Sequence, residues 1–226
     1  MIRLSGVTKL YRTEEMETRA LAGVDLNVQQ GEFLSVMGPS GCGKSTLLNI
    51  VGLIDSPSSG QYFFGDEEIS GYSESRLARL RKGKIGFIFQ SFNLIDELNV
   101  YENVELPLLY QGLPKAQRRN LVREALELVD MSSRARHRPE QLSGGQQQRA
   151  AVARAVVNDP SLILADEPTG NLDSKNGEEV MRMLTTLHEH GATILMVTHS
   201  PSHSAQADRI VNMVDGRIVP ANELAI

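Results

Sequence analysis

The chain has 226 residues, a formal net charge of -5 and one cysteine. This length allows a substantial core, and we expect one domain, at most with two closely packed subdomains. The acidic balance argues against a nucleic-acid partner, and the single cysteine excludes an internal disulfide and fits a reducing compartment. No apolar run reaches the roughly 18 residues needed to span a bilayer, and we see no signal peptide. Any role at a membrane is therefore expected to depend on a partner.

The predicted elements begin with strands around a glycine-rich loop. Val24, Leu26 and Val28 alternate with polar residues, which is typical of a half-buried strand. The apolar run 33–37 stops at Gly38, as expected for a buried strand that leads into a loop. The other elements predicted in this half are a helix at 44–54 and strands at 62–64 and 85–89.

The second half is predicted to begin with helices and to end in strands. Between about 91 and 159 the pattern is mostly helical, and Gly144 opens a helix that ends before Pro160. Asp215-Gly216 predicts a tight hairpin turn near the end. The helical stripe consists of Val122, Ala125, Leu126 and Val129, and the later strands are predicted at 162–165, 193–197 and 210–214.

The segment Gly38–Ser45 matches the pattern G-x4-G-K-S of a phosphate-binding loop. Its glycines let backbone N–H groups close on phosphate oxygens, and the helix N-terminus adds a favourable potential. Lys44 is expected to contact the β- and γ-phosphates, and Ser45 to ligate Mg²⁺. A match arises by chance in roughly one chain in a hundred of this length. The predicted phosphate-binding residues are Gly38, Ser40, Gly41, Cys42, Gly43, Lys44, Ser45 and Thr46.

Polar side chains follow three other predicted strands, Asp166 and Glu167 after one, Gln90 after another and His199 after a third. Because open α/β sheets bind ligands at the carboxyl ends of their strands, we expect these side chains near the phosphates. Asp166 is expected to hold Mg²⁺ through water, and Glu167 to polarise the attacking water. Gln90 is expected to contact both Mg²⁺ and that water. His199 is expected to donate a hydrogen bond to the γ-phosphate.

The string Leu142-Ser143-Gly144-Gly145-Gln146 adds a second, rarer motif. Its chance occurrence is on the order of one chain in several thousand. Together with the phosphate loop and the acidic pair, it makes the chain resemble the nucleotide-binding subunit of an ATP-binding cassette (ABC) transporter over essentially all 226 residues.

This resemblance implies an ATPase with ATP and Mg²⁺ as cofactors, working as a head-to-tail homodimer with two ATP molecules between its subunits. Ser143 and Gly145 of one subunit would face the γ-phosphate held by Lys44 of the other, and Gly144 and Gln146 of the same motif are also expected to bind ATP. Asn171-Leu172-Asp173 resembles the family's D-loop, with Asp173 at the dimer contact. Tyr11 matches the aromatic residue that stacks on adenine.

The expected fold is α/β, a P-loop NTPase core with a small antiparallel β subdomain and an inserted α-helical subdomain. We expect residues 1–226 to form one ATPase domain. Within it, residues 1–90 and 159–226 are predicted to form the core with the β subdomain, and residues 91–158 the helical subdomain that carries the signature motif.

Two further strings, 165–173 and 101–108, resemble the macrolide-export, lipoprotein-release and division-associated group of this family. The resemblance implies a membrane permease subunit, contacted near Gln90 and residues 91–112. It also implies a cytoplasmic location, peripheral to the inner face of the cell membrane.

Three alternatives to a transporter subunit differ in how well they fit the sequence. Cassette ATPases of DNA repair or chromosome organisation carry long coiled-coil insertions before the signature motif, and this chain has no sustained heptads there. Ribosome-acting factors carry two cassettes in one chain, whereas this chain has one. A division-type mechanical signaller that moves no substrate stays open.

Cys42 lies in the phosphate loop beside a helix N-terminus, which favours the thiolate. Two interpretations stay open, a reactive thiol that bound ATP protects and a packed, inert thiol. We predict the reactive thiol.

Overall fold

A computed structural model describes residues 1–12 and 17–220 of the chain. The strands of this structure are β1 (Ile2–Arg12), β2 (Glu17–Val28), β3 (Phe33–Met37), β4 (Ser59–Phe64), β5 (Glu67–Glu68), β6 (Ile85–Ile88), β7 (Leu162–Asp166), β8 (Ile194–Thr198), β9 (Arg209–Val214) and β10 (Arg217–Val219). The α-helices are α1 (Lys44–Val51), α2 (Glu74–Arg81), α3 (Val100–Gln111), α4 (Lys115–Leu128), α5 (Gly144–Val156), α6 (Ser174–Glu189) and α7 (Pro201–Ser204).

These elements fall into two compact units. The first unit comprises the described residues of Met1–Arg81 and Thr193–Ile226, and the second comprises Lys82–Ala192. The second unit therefore includes β6, β7 and α6 as well as the helices between them. The subdomain boundaries at 91 and 158 stay a prediction.

The antiparallel sheet of the first unit has the strand order β2-β1-β4-β5. In β2 the side chains of Val24, Leu26 and Val28 are buried, whereas Asp25 and Asn27 are exposed. The half-buried strand predicted from this alternation is confirmed.

The second sheet of this unit places β3 between β8 and β9, parallel to both, with β10 antiparallel to β9. Every side chain of β3 except Met37 is buried, as its continuous apolar sequence predicts. The predicted hairpin joins β9 to β10. Its turn residues Asp215 and Gly216 both have positive φ, at 46° and 75°, as a type I′ turn requires.

Helix α1 ends at Val51, three residues before the predicted end at Ile54. Gly52 caps the helix, and Leu53 has a φ of 58°, which the right-handed helix does not allow. The core beneath α1 and the second sheet includes the fully buried side chains of Phe33, Leu34, Val36, Leu47, Ile50, Ile194, Leu195 and Val197.

In the second unit β6 and β7 pair in parallel, and α5 packs against β6, α3, α4 and α6. Helix α5 approaches its neighbours closely because its buried face carries small residues, among them Ala150, Ala151 and Ala153. The predicted stripe on α4 is buried at Val122 and Leu126, which confirms that helix. Within residues 1–12 and 17–220, no helix combines the length and apolarity needed to cross a membrane.

The fully buried side chain of Asn103 anchors the segment that precedes α3. Its Oδ1 accepts from the N–H of Ile95 at 2.8 Å, and its Nδ2 donates to the carbonyls of Ile95, Leu98 and Asn99 at 3.1 Å each. One amide thereby contacts four backbone groups of a segment without regular structure, with its two Nδ2 protons shared among three carbonyls.

We predict that Asn103→Ala lowers the free energy of unfolding by about 2–4 kcal/mol, because it removes a fully buried amide together with its hydrogen bonds to part-buried backbone groups. Chemical denaturation measures this. The control is Asn120→Ala at an exposed position of α4, where a change within about 0.5 kcal/mol is expected. Equal effects of the two substitutions would contradict the anchoring role.

Candidate functional site

The first unit presents a loop and a helix N-terminus suited to an anion. Gly43, the N-cap of α1, has a φ of 106°, and a Cβ there would meet the carbonyl of Ala20. Only glycine fits this conformation and this approach. No side chain caps α1 and its first turn carries no acidic residue, so its N–H groups and dipole favour a phosphate.

Lys44 lies at the centre of the phosphate loop. Its side chain is 6 % exposed, and Nζ donates to the carbonyls of Gly38 at 2.9 Å and Pro39 at 2.8 Å. Both acceptors are neutral carbonyls, so neither of them offsets the positive charge of the ammonium group. That charge is available to phosphate oxygens, which are stronger acceptors than carbonyls.

The hairpin turn between β9 and β10 braces this loop. The N–H of Gly216 donates to the carbonyl of Cys42 at 2.9 Å, and the carbonyl of Gly216 accepts from Ala22 at 2.9 Å. The thiol of Cys42 is buried, and a Cβ at Gly38 would lie 2.7 Å from its Sγ. This packing favours the inert thiol over the reactive thiol that the sequence analysis predicts.

Tyr11 is held by two residues of the same unit. Its hydroxyl donates to Asp55 Oδ2 at 2.9 Å, and Lys9 Nζ lies 2.5 Å from Asp55 Oδ1 and 5.1 Å from the centre of the Tyr11 ring. Burial and the bond to Asp55 raise the pKa of the Tyr11 phenol, whereas a hydrogen bond with Thr46 opposes them. Tyr11 therefore lies beside the first turn of α1, with 43 % of its surface exposed.

The register of β3 and β8 brings His199 to the phosphate loop. Met37 is paired with Thr198, so the next residues, Gly38 and His199, leave the sheet at the same edge. His199 is exposed there. The structure of the first unit thus brings together Tyr11, the loop and His199.

The second unit aligns its own pair of catalytic candidates. Ile88 is paired with Ala165 in the parallel strands β6 and β7, which places Gln90 level with Glu167 two residues further on. Asp166 is the last residue of β7. Glu167 has a φ of 44° in a turn closed by the N–H of Gly170, 2.9 Å from the Glu167 carbonyl. A left-handed glutamate is strained, which is common at functional sites.

Gln90 is fixed by its neighbours in this unit. Its Nε2 donates to Asn171 Oδ1 at 3.3 Å, and Asn171 Nδ2 donates to the Gln90 carbonyl at 3.1 Å. A Cβ at Gly170 would lie 2.7 Å from Gln90 Nε2, so a side chain at position 170 would displace the amide of Gln90.

The signature motif forms the N-terminus of α5 as a capping box. Ser143 Oγ accepts from the N–H of Gln146 at 3.3 Å, and Gln146 Oε1 accepts from the N–H of Ser143 at 3.0 Å. The box uses neither the N–H groups of Gly144 and Gly145 nor the hydroxyl proton of Ser143. At this helix end Ser143 is exposed, Gly144 is half-buried and Gly145 is buried, so the hydroxyl of Ser143 and the N–H of Gly144 are the donors best placed for an anion.

Asp173 is the N-cap of α6. Its Oδ1 accepts from the N–H of Asn176 at 2.9 Å and its Oδ2 from Asn176 Nδ2 at 2.6 Å. These hydrogen bonds hold the pKa of Asp173 below its ordinary value. The role of Asp173 at a dimer contact stays a prediction.

The donor set fits a magnesium ion only in part. In the described part of the chain no three His, Cys, Asp or Glu side chains form a metal-binding cluster. Ser45 and Asp166 are oxygen donors of the kind that Mg²⁺ takes alongside substrate phosphates and water. A cage made of protein ligands alone is therefore not the expected arrangement.

Several supporting contacts are not predicted from the sequence. Asp55 orients Tyr11, Asn171 holds Gln90, and Asn176 packs against Gly145. Arg154 donates to the carbonyl of Phe92 at 2.8 Å and to that of Asn93, and burial lowers its pKa. No local pattern in the sequence predicts these contacts, although Asn171 itself lies in the segment that resembles the D-loop.

Comparison with known proteins assigns the family. Residues 21–170 match the family described as ABC transporter. The chain is 49 % identical to the uncharacterized ABC transporter ATP-binding protein YknY of Bacillus subtilis (strain 168), over 98 % of this chain and 96 % of that protein. The chain belongs to the ABC transporter family.

Two more relatives extend this finding. The chain is 48 % identical to the macrolide export ATP-binding/permease protein MacB of Azoarcus sp. (strain BH72), over 97 % of this chain and 33 % of that protein. It thus spans about a third of that relative. The dimeric cassette MJ0796, in a post-hydrolysis state bound to ADP and Pi, matches with a TM-score of 0.90 and 44 % identity over 97 % of each chain. The predicted α/β cassette fold and the predicted ATPase class are confirmed.

Gly145 and Gly144 differ in what a side chain would meet. A Cβ at Gly145 would overlap Asn176 Oδ1, whereas one at Gly144 would lie 3.6 Å from Phe92 Cζ, an ordinary contact. We predict that Gly145→Ala destabilises the protein by about 1–3 kcal/mol and that Gly144→Ala does not. Adding Asn176→Ala to Gly145→Ala should remove part of the loss. Thermal unfolding of Gly144→Ala, Gly145→Ala, Asn176→Ala and the double variant tests this, and additive effects of Gly145→Ala and Asn176→Ala would show that the two residues do not interact.

Proposed function

We propose that this chain is the ATP-hydrolysing subunit of a membrane complex and works as a head-to-tail dimer around two MgATP. The observation that carries the proposal is a second anion-binding helix N-terminus, that of α5, on the same chain as the phosphate loop. In the dimer each ATP would receive one such N-terminus from each subunit. The proposal is also supported by the dimeric form of MJ0796.

The proposed roles follow the chemistry of each side chain. Lys44 and His199 bind the γ-phosphate, and Tyr11 stacks on adenine. The subunit opposite contributes Ser143, whose hydroxyl proton is not used by its own capping box. Bound Mg²⁺ neutralises phosphate charge and would be held by Ser45, Asp166 and Gln90.

Glu167 is proposed as the group that polarises the attacking water. The carboxylate accepts a proton that an amide does not accept. Glu167 follows the last residue of β7. Its left-handed backbone and the turn closed by Gly170 fix the direction in which its side chain points away from the end of the strand.

Glu167→Gln is therefore predicted to bind MgATP with near wild-type affinity, to lower kcat by roughly 100-fold or more, and to accumulate an ATP-bound dimer. Gel filtration with and without MgATP and a phosphate-release assay measure these effects. Glu178→Gln, at an exposed position of α6, is the control and should behave like the wild type. A kcat near the wild-type value in Glu167→Gln would contradict the proposal that Glu167 polarises the attacking water.

We further propose that a permease subunit of the MacB kind binds residues 91–112. Large apolar side chains are exposed in this range at Ile95, Leu109 and Tyr110, and exposed apolar groups are typical of contact surfaces. MacB carries both ATP-binding and permease functions in its name. Such a complex would place the chain at the inner face of the cell membrane and would use ATP for export, lipoprotein release or mechanical signalling.

The substitution Tyr110→Arg is predicted to remove stimulation of the ATPase by the permease and to leave basal ATPase activity unchanged. Tyr110 is 74 % exposed, so Tyr110→Arg should fold and keep basal ATPase while losing stimulation by the co-purified permease. Leu128→Arg, at an exposed leucine outside this range, serves as control and should keep both activities. Loss of basal activity in Tyr110→Arg alone would mean that the residue supports the fold instead.

A further inference from the structure

The fully buried amide of Gln148 joins the segments that follow β6 and β7 and contain Gln90 and Glu167. Gln148 lies on α5, five residues after the serine of the signature motif. Its Nε2 donates to the carbonyl of Phe89 at 3.3 Å and to that of Pro168 at 2.5 Å. Phe89 directly precedes Gln90, and Pro168 directly follows Glu167.

The hydrogen bond from Gln148 to the Pro168 carbonyl lies next to the strained backbone of Glu167. Glu167 has a φ of 44°, and a strained residue keeps its conformation only when surrounding groups hold it there. The turn is closed on one side by the Gly170 N–H. Gln148 holds the other side, at the carbonyl of the next residue.

The acceptor of the same amide is unused. Gln148 Oε1 is buried and has no hydrogen-bond partner among the described residues. A buried unpaired oxygen opposes folding, so the two donated bonds are partly offset in stability. The amide is thus poorly suited to stabilising the fold and well suited to fixing two carbonyls relative to each other.

We propose that Gln148 is a positioning residue for hydrolysis. It holds the residues beside Gln90 and Glu167 at a fixed separation and ties both to the signature helix, so that Mg²⁺, water and base meet in the reactive geometry. This proposal rests on the proposed catalytic roles of Gln90 and Glu167. It assigns Gln148 no contact with ATP.

The test compares Gln148→Met with Gln147→Met. Methionine keeps the length of the side chain and removes both donors. Gln147 lies on the same helix and also donates two hydrogen bonds, but to the carbonyls of Pro139 and Leu142. In Gln148→Met we expect kcat to fall roughly 10- to 100-fold while the Kd for MgATP stays unchanged. In Gln147→Met we expect kcat to stay within about twofold of the wild-type value.

A second variant covers the case in which Gln148→Met does not fold. Gln148→Asn keeps the amide but is one methylene shorter, so it does not span both carbonyls, and the same loss of kcat at unchanged Kd is expected. Wild-type kcat in a folded Gln148→Met or Gln148→Asn protein would overturn the proposal, as would equal losses in Gln147→Met. These outcomes are separate from the ATPase role itself, which the wild type and Glu167→Gln test.

Discussion

The register of two pairs of parallel strands is the constraint on which the site depends. Met37 opposite Thr198 sets the phosphate loop level with His199, and Ile88 opposite Ala165 sets Gln90 level with Glu167. A shift of one residue in either pair would turn the side chains that follow to the other face of the sheet. Both β3 and β7 are buried along their whole length except for the last residue. Their sequences therefore oppose such a shift, because it would bring a polar residue at or next to the end of the strand to a buried position.

Helix α5 connects the residues of the second unit that are proposed to act in ATP hydrolysis. Its N-terminus is the signature motif, Gln148 reaches the strand ends, and Arg154 holds the carbonyls of Phe92 and Asn93. Phe92 and Asn93 both have positive φ, at 60° and 50°, so the segment after Gln90 is fixed in an unusual conformation. A displacement of that segment by a partner would act on α5 through these bonds.

Much of this arrangement was predictable because its signals are local. The alternation of Val24, Leu26 and Val28, the apolar run of β3 and the Asp215-Gly216 turn each report a conformation set by neighbouring residues. The phosphate loop and signature motif could be found because their chemistry needs fixed residue types at fixed spacing. The early end of α1 at Val51 escaped prediction, since Leu53 adopts a left-handed conformation that its own residue type disfavours. Asp55 and Gln148 escaped because folding alone brings their distant partners near. Asn103 escaped although its partners lie only four to eight residues away, since no residue pattern marks a side chain that binds the preceding backbone.

The central claim is that each ATP is hydrolysed between two subunits, and mixing two inactive variants tests it most directly. Lys44→Ala keeps its signature motif and Ser143→Arg keeps its phosphate loop, so only a mixed dimer contains one intact site. At equal amounts half of the dimers are mixed and each has one of two sites, so about a quarter of wild-type ATPase activity should return. No recovery at any ratio, although each variant still pairs with wild-type chain, would contradict the account.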